Sequence, residues 1–292
     1  METPAWLDRD LYPFASQTFD APDGKIHYVD EGEGEPILMV HGTPTWSFLY
    51  RDLIKSLRDD YRVIAPDMLG FGLSEKPRNY SYQIPDQTRN LQALIEHLDL
   101  QHFTLVAHDF GGPTSLAYAL DNPQNIKRIV LFNTWMWSLK DDLQMRISGS
   151  LIGSRLGLWL YKYANLEFNV IVPSVYGDKA RFTPQIRAHY EKLTHDEPFM
   201  VDVEWFYARE LMARSAWFDS LWAKRDAIQE IPALLVWGMR DSIFGENLLA
   251  RWRTVFNQVR VHELADTGHF VQDEQGTALV PILQDFLQAD YL

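Results

Sequence analysis

The chain has 292 residues and 46% hydrophobic content, which is enough for one large α/β domain or for a core domain with an insertion. Its net charge of -13, without any basic run, argues against nucleic acid or an anionic membrane as a partner. The absence of cysteine excludes disulfides, thiolate metal sites and cysteine nucleophiles. With no signal-peptide pattern and no apolar run long enough to span a bilayer, a cytoplasmic protein is expected.

Apolar runs in the first half of the chain alternate with segments of helical spacing, which is typical of βαβ proteins. The motif HGTPTW directly follows the second predicted strand, at the carboxyl end where open α/β sheets bind ligands. Helices are predicted over 46–57 and up to Leu98, with Asp86 as the expected cap of the second one. Strands are predicted over 25–29, 36–40, 62–65, 103–107 and 128–133.

Asp109 lies at the turn of the stretch VAHDFGGPTSLAYAL, between a buried strand and a segment of helical spacing. Such a turn holds its apex residue in a strained conformation above the sheet, and small neighbours let strand and helix pass closely. The usual apex residue is serine. Here it is a carboxylate facing a helix N-terminus, which favours the ionised form. Asp109 is therefore a candidate nucleophile, with a helix N-cap as the alternative.

The pattern changes between residues 135 and 225, where helical segments are broken by glycine and proline and no strand alternation is evident. A helical lid over the carboxyl ends of the strands is predicted, with a separate helical domain as the alternative. Four tryptophans of this segment are expected to pack in its own core: Trp159, Trp205, Trp217 and Trp222. Strand signals resume at 233–237 and 259–264, and a last helix is predicted over 275–287.

Two loops after the last strands carry candidate catalytic groups. Asp241 lies in WGMRDSIF and His269 lies in ADTGHFVQDE. Taken singly, each is as well explained as a turn or surface residue. An aspartate that orients an imidazole is the arrangement shared by hydrolytic triads, and the chain order of nucleophile, acid and histidine is that of the α/β-hydrolases. The combination favours a triad of Asp109, Asp241 and His269.

The chain resembles the haloalkane dehalogenase group of the α/β-hydrolases, on the aspartate-nucleophile branch shared with epoxide hydrolases. The motifs are HGTPTWSFLYR at 41–51, APDMLGFGLS at 65–74, HDFGGP at 108–113, WGMRDSIF at 237–244 and DTGHFVQDE at 266–274. The resemblance implies a mostly parallel sheet flanked by helices, with a core of 1–134 and 226–292 and a helical lid of 135–225 inserted after the sixth strand. It also implies Asp109 as nucleophile, His269 as base and Asp241 as acid. Some relatives carry the acid near Asn133, but an amide cannot serve.

A carboxylate nucleophile points to attack on a saturated carbon, because this yields an ordinary alkyl ester. The expected substrate is a small apolar electrophile, a haloalkane or an epoxide. His269 would then activate water to hydrolyse the ester, giving an alcohol and, from a haloalkane, a halide ion. The backbone N–H groups of Thr43 and Phe110 would hold the oxyanion. No cofactor and no metal are expected, and the oligomer is expected to be a monomer or a homodimer.

The leaving-group site departs from the resemblance. Dehalogenases of this group usually have tryptophan after the nucleophile and a second N–H donor, often asparagine in the HG loop. Phe110 and Thr43 stand at those positions. Trp137 is the candidate substitute donor, with Asn133 as a candidate amide donor, and ordinary packing where the lid begins is the favoured alternative for each. Dehalogenase-type hydrolysis is the favoured activity, and epoxide hydrolysis is the second candidate. An epoxide hydrolase would need acids in the lid, where the candidates are Tyr161, Tyr163, Tyr176, Tyr190 and Tyr207. A ligand-binding or inactive member of the fold is the third alternative.

Overall fold

The protein is built on an 8-stranded sheet with the strand order β1-β2-β4-β3-β5-β6-β7-β8. The structure, a computed structural model, describes residues 4–290, apart from the side chains of 144 and 194–196. Strands β1 and β2 are antiparallel to their neighbours, and all other pairs are parallel. The strands are β1 (Gln17–Ala21), β2 (Gly24–Glu31), β3 (Glu35–Val40), β4 (Tyr61–Pro66), β5 (Phe103–Asp109), β6 (Ile126–Thr134), β7 (Ala233–Gly238) and β8 (Val259–Leu264).

Helices cover both faces of the sheet. They are α1 (Arg51–Leu57), α2 (Ile84–His97), α3 (Gly111–Asp121), α4 (Leu143–Ile152), α5 (Arg155–Ala164), α6 (Val172–Val175), α7 (Pro184–Asp196), α8 (Met200–Ala213), α9 (Ser215–Ala223), α10 (Glu246–Trp252), α11 (Val271–Gln275) and α12 (Val280–Leu287). Alternate residues of β3 enter different apolar clusters: Leu38 packs in the cluster with α2 and α3, whereas Met39 packs in the cluster with α1 and α12. Burial on both faces explains why the central strands are continuously apolar.

The predicted strands are confirmed within a few residues, and the predicted α/β-hydrolase fold is confirmed with them. The edge strand β1 was not predicted, because an exposed strand of the sequence QTFDA has no apolar run. The first predicted helix begins with a 3₁₀ turn, Ser47–Tyr50, before α1. The prediction that Asp86 caps α2 is wrong: α2 begins at Ile84, and the Asp86 carboxylate accepts hydrogen bonds from Ser81 and Arg89.

Between β6 and β7 the chain forms helices α4 to α9 and no strand, over residues that the structure describes. We call residues 135–232 the insertion. The expectation that Trp159 packs inside it is wrong, because this side chain is 55% exposed. Trp205 is partly buried and donates to the Ile152 carbonyl at 3.0 Å. No helix within residues 4–290 is long and apolar enough to cross a membrane.

Candidate active site

Asp109 occupies the apex of the turn between β5 and α3, in the strained conformation expected there. Its φ is 50°, in the left-handed region that a residue with a Cβ rarely adopts. The Thr134 hydroxyl donates to the Asp109 carbonyl at 2.6 Å and fixes the turn against β6. A Cβ at Gly42 would collide with the Asp109 carboxylate, so glycine in the HG loop lets the two segments approach.

Two backbone N–H groups hold the Asp109 carboxylate. Thr43 N–H donates to Oδ1 at 2.9 Å, and Phe110 N–H also hydrogen-bonds the carboxylate. Burial nevertheless raises the pKa of Asp109 to about 6, although nearby His269 opposes this shift. Both predicted N–H groups therefore contact the Asp109 carboxylate, at the place where the sequence analysis expects an oxyanion site.

His269 lies in the loop after β8, between two carboxylates. Its Nδ1 is 2.7 Å from Asp241 Oδ2, and its Nε2 is 3.6 Å from Asp109 Oδ2. Burial lowers the pKa of His269, but the charge and hydrogen bond of Asp241, together with the charge of Asp109, raise it above the ordinary value. The Nδ1 contact to a carboxylate makes Nδ1 the protonated nitrogen of the neutral ring, which leaves the Nε2 lone pair facing Asp109.

Asp241 lies in the loop after β7 and is surrounded by donors. Its Oδ1 accepts from the N–H groups of Ile243 at 2.7 Å and Phe244 at 3.0 Å. Burial raises the pKa of Asp241, but His269 and these N–H groups lower it below the ordinary value. The carboxylate is therefore held ionised beside the imidazole. It is the acid that the sequence indicates, and the three predicted triad residues converge here.

Asn133 does not lie at the leaving-group site. Its side-chain amide donates to Asp241 Oδ2 at 2.8 Å and to the Gly238 carbonyl at 3.1 Å, and its carbonyl accepts from Gly238 N–H at 2.8 Å. The expectation that Asn133 donates to a leaving anion is therefore wrong, because its donors are used in holding Asp241 and β7. The side chain instead holds the Asp241 carboxylate.

His108 is a supporting residue that the sequence did not single out. The ring is fully buried, and burial lowers the pKa of His108 well below the ordinary value. The neutral ring lies with Nε2 3.0 Å from the carbonyl oxygen of His269, so Nε2–H donates to it. His108 directly precedes the nucleophile in HDFGGP, but its position in the motif does not reveal a contact across 161 residues.

A cavity of about 310 Å³ is lined in part by Asp109. Its core-domain lining includes Thr43, Asp109, Phe110, Phe244, His269 and Phe270. The insertion contributes Tyr161, Glu167, Ile171, Val172, Glu204 and Leu211. Mostly apolar walls of this size suit a small apolar ligand. No cluster of His, Asp and Glu within the described residues could hold a metal ion.

The expectation that Trp137 donates into the site is also wrong, because Trp137 is not among the cavity-lining residues. Its ring packs against Trp222 and Trp252 with centroids 5.2 Å and 5.1 Å away, beneath the Arg251 guanidinium group. Trp135 lies behind Phe110, edge to face at 4.8 Å. Within the described residues, its indole N–H has no partner. The phenyl ring of Phe110 thus separates this indole from the nucleophile.

Of the five tyrosines named as candidate acids, Tyr161 alone lines the cavity. Tyr163 is 74% exposed. Tyr207 is buried, with its hydroxyl group 3.0 Å from the Gln87 amide that donates to it. Tyr176 and Tyr190 donate to Asp273 Oδ2 at 2.9 Å and 2.7 Å. Only Tyr161 therefore has the position that protonation of a substrate requires.

The insertion is tied to the core through the last residues of the motif DTGHFVQDE, which sequence analysis left without a role. Asp273 accepts from Arg51 of α1 at 2.5 Å, as well as from Tyr176 and Tyr190 of the insertion. The Glu274 carboxylate accepts from Gly177 N–H at 3.1 Å. It also accepts from Gly268 N–H at 2.8 Å, next to the base. Helix α11, which begins two residues after His269, thus joins the insertion to the core.

The sequence is similar to a known family and to several characterised enzymes. A family model described as the alpha/beta hydrolase fold matches residues 35–166 and 207–275. The chain is 36% identical over 280 residues to haloalkane dehalogenase 2 of Mycobacterium tuberculosis, covering 91% of this chain and 93% of that protein. It is 30% identical to a cis-3-alkyl-4-alkyloxetan-2-one decarboxylase of Shewanella oneidensis, over 95% and 89% of the two chains.

Solved structures give the same fold. The crystal structure of the haloalkane dehalogenase DatA from Agrobacterium tumefaciens superposes with a TM-score of 0.83. The match covers 96% of this chain and 99% of that chain at 22% identity. Identity at this level supports the shared architecture alone.

Proposed function

The chain belongs to the α/β-hydrolases and is haloalkane dehalogenase-like, and on that premise we propose that it hydrolyses haloalkanes through an ester on Asp109. An oxygen of Asp109 attacks the carbon that bears the halogen, the carbon–halogen bond breaks, and the halide leaves. His269 then takes a proton from water, whose oxygen attacks the ester carbonyl. Asp241 stabilises the imidazolium, and the alcohol leaves.

One observation carries this proposal: His269 spans the nucleophile and the acid. Its Nε2 lies 3.6 Å from Asp109 Oδ2, while its Nδ1 lies 2.7 Å from Asp241. An imidazole that bonded the nucleophile more closely would leave no approach for a water molecule. A base oriented by a buried carboxylate and poised beside the ester carbon supports the second step.

Alkylation would itself prepare the base. The negative charge of Asp109 is one of the causes that raise the pKa of His269. Esterification removes that charge, so the pKa of His269 falls and the neutral base becomes more abundant when it is needed. The N–H groups of Thr43 and Phe110 support the proposed oxyanion role, since they already hold the Asp109 carboxylate.

We further propose that residues 135–225 act as a lid over a core formed by residues 1–134 and 226–292. The cavity lining supports this division, because Tyr161, Glu167 and Leu211 from the insertion lie across the cavity from core residues. The complete lack of cysteine supports a reducing compartment such as the cytoplasm. As in the sequence analysis, a monomer or a homodimer is proposed.

The function is tested by measuring halide release and diol formation separately, with panels of haloalkanes and epoxides. We expect halide release with at least one bromoalkane, and none with Asp109→Asn. No turnover of any substrate by the wild type would favour the ligand-binding or inactive member. Halide release that survives Asp109→Asn would exclude the covalent route.

The first step should depend on the ionisation of Asp109. A protonated carboxyl group is not nucleophilic, and the pKa of Asp109 is about 6. Halide release in the first turnover should therefore be about tenfold slower at pH 5 than at pH 8. Rapid-mixing measurement with enzyme in excess reports this step, and circular dichroism at both pH values controls for unfolding. A rate that stays constant down to pH 5 would contradict the assignment.

Phe110→Trp should accelerate halide release, because an indole N–H next to the nucleophile can hold the leaving anion. Such a bond contributes roughly 1.5–3 kcal/mol, or about one to two orders of magnitude, if it forms mainly in the transition state. Phe110 packs edge to face on Tyr207 at 5.0 Å, so the larger ring must extend into the cavity. Trp137→Phe is the control and should leave halide release unchanged. A folded Phe110→Trp without gain would mean that the anion is already held elsewhere or that the natural leaving group is not a halide.

Epoxide hydrolysis is the second candidate, and the position of Tyr161 favours it. Tyr161 and Asp109 line the same cavity, whereas Phe110 offers a leaving halide no N–H donor from its side chain. The named activity of the oxetan-2-one relatives involves a strained oxygen ring, which also supports a substrate of this kind. Diol formation without halide release in the same screen would favour this candidate.

A further inference from the structure

Glu167 is a buried carboxyl group on the wall of the active-site cavity, contributed by the insertion. It is 8% exposed and shares the cavity lining with Asp109 and His269. It begins the π-helical turn Glu167–Ile171, directly before α6. Such turns are rare and are frequently found at functional sites. The apolar neighbours Ile171 and Val172 line the same wall.

The surroundings of Glu167 favour its protonated form. Among the lining residues described, His269 is the only basic side chain, and it is engaged with Asp241. Burial raises the pKa of Glu167 to about 7, the Tyr161 hydroxyl opposes the shift, and the charge of Asp109 adds to it. Glu204, the other carboxyl group of the lining, faces Tyr161. Glu167 is therefore available as a proton donor in the cavity that Asp109 also lines.

A halide needs no proton when it leaves, but an oxygen does. Opening a strained ring without an acid would release an alkoxide, which is a strong base, into an apolar cavity. A side-chain N–H donor for a halide is missing at Phe110, and a proton donor for an oxygen is present at Glu167. The polar groups of the cavity thus suit a leaving oxygen in addition to a halide.

We propose that Glu167, positioned by Tyr161, is the catalytic acid of this site and protonates the leaving oxygen of an epoxide. The inference rests on the proposed covalent chemistry of Asp109 and extends it to a second class of substrate. Asp109 attacks a ring carbon, the carbon–oxygen bond breaks, and the oxygen takes the proton of Glu167. A hydroxyalkyl ester of Asp109 and an ionised Glu167 result.

The second half-reaction restores both groups. Water gives one proton to His269, and its oxygen bonds to the ester carbonyl carbon. The bond between that carbon and the alkyl oxygen then breaks, and the departing diol takes the proton from His269. The second proton of the water remains on the re-formed Asp109 carboxyl group and returns to Glu167. The net reaction adds one water to one epoxide.

The test compares two probes of equal carbon number, butyl bromide and butylene oxide, in the His269→Gln background, where the ester accumulates. Intact-protein mass spectrometry gives the rate of ester formation with each probe. Adding Glu167→Gln should slow the reaction with butylene oxide on the order of 10²-fold more than the reaction with butyl bromide. Esterification by butylene oxide should also decline above about pH 7 with Glu167 present, and should lose that decline with Glu167→Gln.

The outcomes separate this inference from the proposed function. If neither probe esterifies Asp109, the covalent mechanism fails and the inference fails with it. If Glu167→Gln slows both probes equally, or leaves the epoxide reaction unaffected, the inference alone is overturned. A selective loss in Glu204→Gln instead would overturn the assignment to Glu167.

A second variant keeps the test decisive if Glu167→Gln does not fold. The Tyr161 hydroxyl lowers the pKa of Glu167, so Tyr161→Phe should raise it and move the alkaline decline of the butylene oxide reaction to higher pH. Tyr161→Phe retains the aromatic ring and hence most of the packing. An alkaline decline that does not move would overturn the role of Glu167.

Discussion

Asp241→Asn should slow turnover on the order of 10⁴-fold, the loss expected where an amide locks a triad histidine in the wrong tautomer. Asp241 Oδ2 accepts from both His269 Nδ1 at 2.7 Å and Asn133 Nδ2 at 2.8 Å. An amide nitrogen at that position would face two donors. The imidazole would move its proton to Nε2, toward Asp109, and could no longer take a proton from water.

Steady-state turnover with a bromoalkane measures this effect, and ester accumulation shows which half-reaction is slowed. We expect the ester to accumulate, because Asp241 acts through the base of the second step. Asp266→Asn is a matched control, since Asp266 lies in the neighbouring loop in an exposed ion pair with Arg240. Near wild-type turnover by Asp241→Asn would remove Asp241 from the triad.

Asp273→Asn should destabilise the protein by roughly 3–5 kcal/mol, because it leaves a buried guanidinium group without its carboxylate. The Arg51 side chain is 6% exposed and lies 2.5 Å from Asp273 Oδ1. The Tyr176 and Tyr190 hydroxyl groups donate to Oδ2, so the single oxygen of an amide can serve either these hydroxyl groups or Arg51, and its NH₂ group faces the other donors. The contacts of Asp273 link Arg51 in the core with Tyr176 and Tyr190 in the insertion, so the substitution should affect both parts.

Chemical denaturation followed by circular dichroism gives the free energy of unfolding, and turnover at low temperature reports the cavity. Asp121→Asn is the control, because its ion pair with Lys224 at 2.6 Å is exposed on both sides. Exposed ion pairs contribute little to the free energy of unfolding, so Asp121→Asn should be about as stable as the wild type. Equal stability of Asp273→Asn and the wild type would mean that Arg51 finds another partner.

The sequence predicted the parts of the site that follow from strand order. The carboxyl ends of parallel strands share one edge of the sheet, so candidates after β5, β7 and β8 had to lie near one another. The observed contacts of His269 with Asp109 and Asp241 agree with that reasoning. The turn conformation of Asp109 could also be predicted from the neighbouring sequence, because the small residues around it are typical of a tight turn between a strand and a helix.

Side-chain direction was not predictable from position along the chain. Asn133 lies near the end of β6 and Trp137 follows it, so both are close to the expected pocket. Trp137 nevertheless packs under Arg251, and Asn133 donates to Asp241. Nor could the sequence reveal the tie between Arg51 and Asp273, which are 222 residues apart. Glu167 was overlooked because a single glutamate in a helical segment gives no signal until its burial is known.

The central claim is that Asp109 becomes covalently modified and that His269 is needed only to release it. His269→Gln, exposed to a bromoalkane that the wild type turns over, should gain the mass of the alkyl group on the peptide that contains Asp109, and should release one halide per enzyme and no more. The wild type under the same conditions should show no lasting adduct. An unmodified Asp109 in folded His269→Gln would contradict the two-step mechanism.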